Sequence, residues 1–229
     1  MDGKRAGNNP SQEKAAIPTA NAFGLLRQFG RKQRALERCE LCSAPVMREH
    51  PHLIELAARR LFCACDACAL LFDGEGRKYK RVSRRVVLLE PFHLSHAQWD
   101  ALMIPINMAF FFSSSVEDRV VALYPSPAGA VESLLSLEAW NDITRENPAL
   151  RAMQPDVEAL LVNRVGSSRE AAATPDYFIA PMDECYKLVG LIRAHWRGLS
   201  GGAEVWQEIG QFFASLRQRA EVITEESHA

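Results

Sequence analysis

The sequence predicts an α+β protein: an N-terminal zinc-ribbon-like four-cysteine module, then an antiparallel sheet with two C-terminal antiparallel helices. Three observations carry that expectation. Five of the six cysteines lie between Cys39 and Cys68. Short strand-like runs separated by turn residues fill much of the middle of the chain. Near the C-terminus, apolar residues recur at steps of three and four in two successive stretches, the period of a helix with one buried face.

Taken in order, residues 1–20 are polar, with Gly, Asn, Ser and two prolines, and read as a disordered tail. Residues 21–38 read as a basic amphipathic arm. Phe23, Leu26 and Phe29 sit at helical spacing among Arg27, Arg31, Lys32, Arg34 and Arg38. Gly24 and Gly30 keep an isolated helix marginal, at about 1 kcal/mol each against alanine. The arm should therefore order only against its own body or a partner. Residues 39–76 form the cysteine module, 77–221 the α+β body, and 222–229 a second disordered tail.

Within the body, Tyr79 to Leu89 reads as one strand, and Ser95-His-Ala-Gln98 as a capping box opening a short helix. Ile106 to Phe112 and Arg119 to Tyr124 look like a hairpin, followed by a turn-rich loop at Pro125–Gly129. Leu137 to Glu146 reads as a helix stopped by Asn147-Pro148. Val157 to Val165 and Tyr177 to Ile179 are two further strands. Met182 to Leu199 carries Cys185, Leu188, Val189, Ile192 and Trp196 on one helical face. After Ser200-Gly-Gly202, the residues Val205, Trp206, Ile209, Phe212, Phe213 and Leu216 repeat the pattern. These two helices should pack together on one face of the sheet.

The 229 residues are 48% hydrophobic and 24% charged, which excludes a fully disordered or collagenous chain. No run approaches the ~18 apolar residues of a membrane span. The first residues offer no apolar signal segment, so the expected compartment is the cytoplasm. Net charge is −1, so no global field calls for nucleic acid. The average hides an asymmetry. Residues 1–90 hold 17 Lys/Arg against 10 Asp/Glu, net +7, whereas residues 91–229 are net −8.

The sharpest chemical signal is Cys39-x2-Cys42, then 22 residues, then Cys65-x2-Cys68. Clustered thiols in a chain with no export signal point to metal rather than disulfides. Each C-x2-C pair can form a knuckle aiming both sulfurs inward, and two knuckles supply a tetrahedron. The expected ligands are Cys39, Cys42, Cys65 and Cys68. Cys63 or His52 could replace one of them, and His50 and His52 could themselves ligate. Four thiolates suit zinc, a single iron or an iron–sulfur cluster. Zinc is the expected ion, iron the alternative. The module's few apolar residues, among them Leu53, Ile54, Leu61 and Phe62, leave it marginal alone, so metal should supply much of its folding energy.

Enzyme signatures such as GxGxxG, a P-loop, HExxH or GxSxG are missing from the sequence, so no catalytic or cofactor-binding residue is expected. His93 and His96 read as polar groups at a helix cap, Cys185 as a core residue and His195 as a partly exposed helix residue. Gly198, Gly201 and Gly202 read as a hinge, with an anion cradle as the alternative.

The combination Cys39-Glu-Leu-Cys42, His50-Pro-His-Leu53, Cys63-Ala-Cys-Asp-Ala-Cys-Ala-Leu-Leu-Phe72, Tyr124-Pro-Ser-Pro-Ala-Gly129, Cys185 to Arg193 and Trp196 to Gly202 resembles an uncharacterised bacterial family. Its genes lie in clusters for high-affinity uptake NiFe-hydrogenases. The resemblance covers about residues 39–219 and implies a role in assembling, maturing or serving a hydrogenase, with no established activity. The expected function is that of a non-enzymatic metal-binding accessory protein whose partner is a hydrogenase subunit or assembly factor. The alternative is a rubredoxin-like iron or electron-transfer protein serving the same enzyme. Nucleic-acid binding ranks last, because the knuckles carry few aromatics or lysines.

Overall fold

The spacer between the two cysteine pairs builds the smaller of two sheets. The computed structural model describes Met1 and residues 37–74, 76–134, 136–166 and 174–223; the arm at 21–38 lies almost wholly outside them. Strand β1 (His52–Glu55) pairs antiparallel with β2 (Arg60–Cys63) on one side and β3 (Tyr79–Arg81) on the other. Arg59, at φ 52°, helps turn the hairpin. Between β2 and β3 lies helix α1 (Asp66–Phe72). Successive strand residues point to opposite faces. Leu53 thus joins a small core with Cys39, Val46, Ala64, Cys68 and Ala69, while Ile54 joins the main core of the body.

The expected single strand from Tyr79 to Leu89 is two. β3 belongs to the small sheet and β4 (Val87–Leu89) to the large one. The cause lies far along the chain. Ser83 Oγ donates to Glu158 Oε1 at 2.8 Å, and Arg85 Nη2 donates to Glu158 Oε2 at 2.7 Å. The Glu158 carboxylate is fully buried, and these bonds tie down the crossing between sheets.

Beyond β4 come α2 (His96–Ala101), β5 (Met108–Ser114), β6 (Arg119–Ser126), β7 (Gly129–Ser133), α3 (Leu137–Glu146) and a 3-10 turn at Pro148–Ala152. Then follow β8 (Glu158–Asn163), β9 (Asp176–Pro181), α4 (Met182–His195), α5 (Gly202–Arg219) and β10 (Glu221–Ile223). The large sheet has seven strands in the order β10-β4-β9-β8-β5-β6-β7. Every pair is antiparallel except β10 with β4, which is parallel. The sheet is therefore larger than expected, and mixed. β7 takes in the end of the loop expected at Pro125–Gly129. β10 includes Val222 and Ile223, two residues read from sequence as tail.

Helices cover both faces of this sheet, not one. Phe110, Phe112, Leu161 and Phe178 face Leu188, Ile192, Val205, Ile209 and Phe213 of α4 and α5. On the opposite face, Phe111, Leu160, Val162 and Ile179 pack with Trp99 of α2 and with Trp140 and Ile143 of α3. Coverage on both faces explains why β5 is apolar at consecutive rather than alternate positions. The Ser95–Gln98 capping box forms as expected, and α3 has the expected bounds. α4 ends at His195, before Leu199, and the chain turns at Gly201, whose φ is 88°. A Cβ there would stand 2.8 Å from Val205 Cγ1 and 3.1 Å from the Trp196 ring. That makes the glycine a requirement of the turn.

Candidate metal centre

The four cysteines expected to ligate come together. One sulfur from each of Cys39, Cys42, Cys65 and Cys68 lies within 4.8 Å of the others, and Cys42 Sγ and Cys65 Sγ are 3.6 Å apart. All six cysteines are free thiols. A tetrahedron with zinc–sulfur bonds of about 2.3 Å has edges of about 3.8 Å, so the donors fit such an ion.

Local backbone geometry places each sulfur. In the first pair, Ser43 adopts φ 63° and donates its N–H to Cys39 O at 2.8 Å, while Cys39 N–H donates to Ala44 O at 2.8 Å. The second pair opens α1. Cys65 is its N-cap, and the Cys65 sulfur accepts from Cys68 N–H at 3.4 Å. A cysteine in place of the usual Ser or Asp cap gives the knuckle and the helix start one residue in common.

The electrostatics also fit a cation. Burial pushes the Cys39 thiol up, but backbone hydrogen bonds from Cys65, Cys42 and Leu41 outweigh it and hold the group at about 6. Burial, together with the adjoining sulfurs, pushes Cys68 up to about 12. Among these adjoining thiols one proton is lost readily, and the charge it leaves opposes loss of the next. A metal ion resolves that conflict, because its charge makes further thiolates favourable beside the first. Such an ion would supply charge neutralisation and a cross-link between the two pairs.

Cys63 does not join the four. Its Sγ lies instead with one ring nitrogen each of His50 and His52, all within 4.8 Å. Cys185 is fully buried in the main core, and burial pushes its thiol well up. His96 Nδ1 meets Arg164 Nη2 at 2.8 Å beside the start of α2, and the His93 backbone N–H donates to Asn147 Oδ1 at 2.7 Å. His195 Nδ1 pairs with Glu204 Oε1 at 2.8 Å near the surface.

Sequence reasoning missed Asp183, the first acidic residue of α4. Its Oδ2 lies 2.8 Å from His52 Nδ1 across 131 positions of chain. No local pattern could have paired them. The contact lies alongside ion pairs that join the cysteine module and β3 to the body. Lys80 Nζ meets Asp156 Oδ2 at 2.6 Å and Arg59 Nη1 meets Glu132 Oε2 at 2.9 Å; Arg59 also bonds Glu117. Between the small sheet and α4 lies a cleft of about 420 Å³ lined by Glu40, His52, Leu61, Cys63, Asp183, Glu184, Tyr186 and Lys187. No helix among the described residues is long and apolar enough to cross a membrane.

Residues 38–220 match a family model described as "Family of unknown function (DUF5947)". No curated protein and no solved structure matches the chain.

Proposed function

The chain belongs to DUF5947, a family of unknown function, and on that footing we propose that it is a non-enzymatic, metal-binding accessory protein. One observation carries the reading: four free thiols on two knuckles converge within 4.8 Å. Four protein sulfurs complete a tetrahedral ion and leave no position for a substrate. The ion, zinc, serves to fold the zinc-ribbon-like module and set it against the body. The assembled surface then engages a protein partner. The sequence resemblance described above makes that partner a NiFe-hydrogenase subunit or assembly factor, in the cytoplasm.

Two measurements test this. Elemental analysis of the purified, colourless protein should find one zinc per chain fewer when Cys39 or Cys42 is replaced. A red-brown protein holding iron would favour the iron-carrier alternative, and a metal-free folded protein would overturn both. Tagged protein should co-purify with hydrogenase subunits from cells expressing that enzyme. Failure to capture them, with hydrogenase activity unchanged on deletion, would sink the partner assignment while leaving the metal assignment standing.

A further inference from the structure

We propose that His50, His52 and Cys63 form a second metal site, separate from the four cysteines, which takes a zinc-class transition-metal ion and keeps one coordination position open to the cleft. The proposal goes beyond the accessory reading and does not depend on the identity of the partner.

The three donors are already gathered, with one ligand atom from each residue within 4.8 Å of the other two. The two imidazole rings meet edge to face with centroids 4.8 Å apart. Each ring has its Nδ1 committed elsewhere. His50 Nδ1 lies 2.8 Å from Met47 O and 3.6 Å from Glu37 Oε2, both acceptors, so this nitrogen carries the proton. His52 Nδ1 lies 2.8 Å from the Asp183 carboxylate, which calls for a proton there as well. In the neutral form of each ring the lone pair is then on Nε2.

His50 supplies the second, independent observation. Its side chain is only 6% exposed, and its Nε2 is buried with no hydrogen-bond partner. A buried acceptor without a donor is costly, and a cation would satisfy it. The Asp183–His52 contact is the carboxylate–histidine arrangement that orients metal-ligating imidazoles and raises their basicity. A donor set of two imidazoles and one thiolate selects zinc or a softer first-row ion over magnesium or calcium.

The surroundings set the site apart from the four-cysteine centre. His52 and Cys63 line the cleft between the small sheet and α4, whereas the four cysteines do not. The backbone of Cys63 is held by Glu40: its N–H donates to Glu40 Oε2 at 2.7 Å, and its carbonyl accepts from Glu40 N–H at 2.8 Å. Three protein ligands leave a fourth position facing solvent, the pattern of ions that exchange ligands rather than of closed structural ones.

The test uses the full-length protein, reduced and stripped of metal, titrated with Co²⁺ and then Zn²⁺ under anaerobic conditions. Wild type should bind two ions per chain, with two distinguishable cobalt spectra. His52→Gln and Cys63→Ser should each bind one, keeping the all-thiolate charge-transfer bands. Asp183→Asn should keep both sites but weaken the second by about 10- to 100-fold. Saturation of wild type at one ion overturns the proposal, as does binding of two ions by both variants. If Cys63→Ser loses both ions, His52→Gln, which alters neither cysteine pair, decides. Loss of both ions there as well would mean a single shared site and overturn it too.

Discussion

Cys42 and Cys185 are both thiols, yet the structure gives them opposite tasks. Replacing Cys42 with serine should release the ion of the four-cysteine centre, forfeiting much of a binding free energy on the order of 10 kcal/mol. Cys185→Ser should leave metal content unchanged and cost about 1–3 kcal/mol, by burying a hydroxyl in an apolar core. Metal content and urea unfolding of the two variants check both outcomes. Asp156 is a second instance of a residue whose value comes from its neighbours. Burial raises its carboxyl, but Lys80 and the hydrogen bonds from Ser115 outweigh that and leave it below the usual range. A depressed folded-state value stabilises above the unfolded carboxylate value of about 3.9, and the contribution is lost as pH falls through the folded value. Asp156→Asn should therefore be less stable than wild type at neutral pH, with the gap closing in acid. Asn also tolerates the backbone at φ 70°, so acid-unfolding curves of the pair isolate the charge. The convergence of Cys39, Cys42, Cys65 and Cys68 was legible because the spacing within each pair is local. The His50–His52–Cys63 group was legible only as fragments, because Asp183, which fixes the His52 tautomer, is remote in sequence.

Among the elements, those with chemical punctuation were readable. α3 starts at its Ser136 cap and stops at Asn147-Pro148, where the sequence placed its limits. α1 went unread because its cap is a cysteine already assigned to metal. The β3–β4 crossing looked like one strand because Val82 and Val86 bridge the apolar positions of the two strands in the sequence. Only the distant Glu158 reveals the change of sheet. β7 and β10 are short and have no strong alternation, so only their partners define them. Two variants test the elements directly. Gly201→Ala forces a side chain into the left-handed region and against Val205, and should cost on the order of 1–2 kcal/mol or more. Thermal unfolding would register it, and an unchanged midpoint would mean that the turn relaxes freely. Removing residues 221–229 deletes β10, its pairing with β4 and the bond from Glu221 N–H to Val86 O, just before β4, at 2.9 Å. At about 0.5–1.5 kcal/mol per hydrogen bond, a loss of a few kcal/mol is expected in denaturant titration.

Among the described residues, several basic groups of the front half meet acidic groups of the back half. His52, Arg59, Lys80 and Arg85 from the front meet Asp183, Glu117, Glu132, Asp156 and Glu158 from the back. The sequence showed the imbalance but not these pairings between distant positions. Ile54 carries the same connection through the apolar core. Chelating the metal should therefore lower the melting temperature of the body as well as that of the module. Calorimetry should show one shifted transition; an unmoved main peak would show that the module melts alone. The position of β10 sets a schedule as well as a shape. Strand β4 leaves the ribosome long before its parallel neighbour exists, and its open side must wait while the intervening chain is translated. A nascent chain paused in that interval presents a bare strand edge, the kind of surface that neighbouring polypeptides extend. Chaperone attention during synthesis should concentrate there, and end when Glu221–Ile223 emerges and docks.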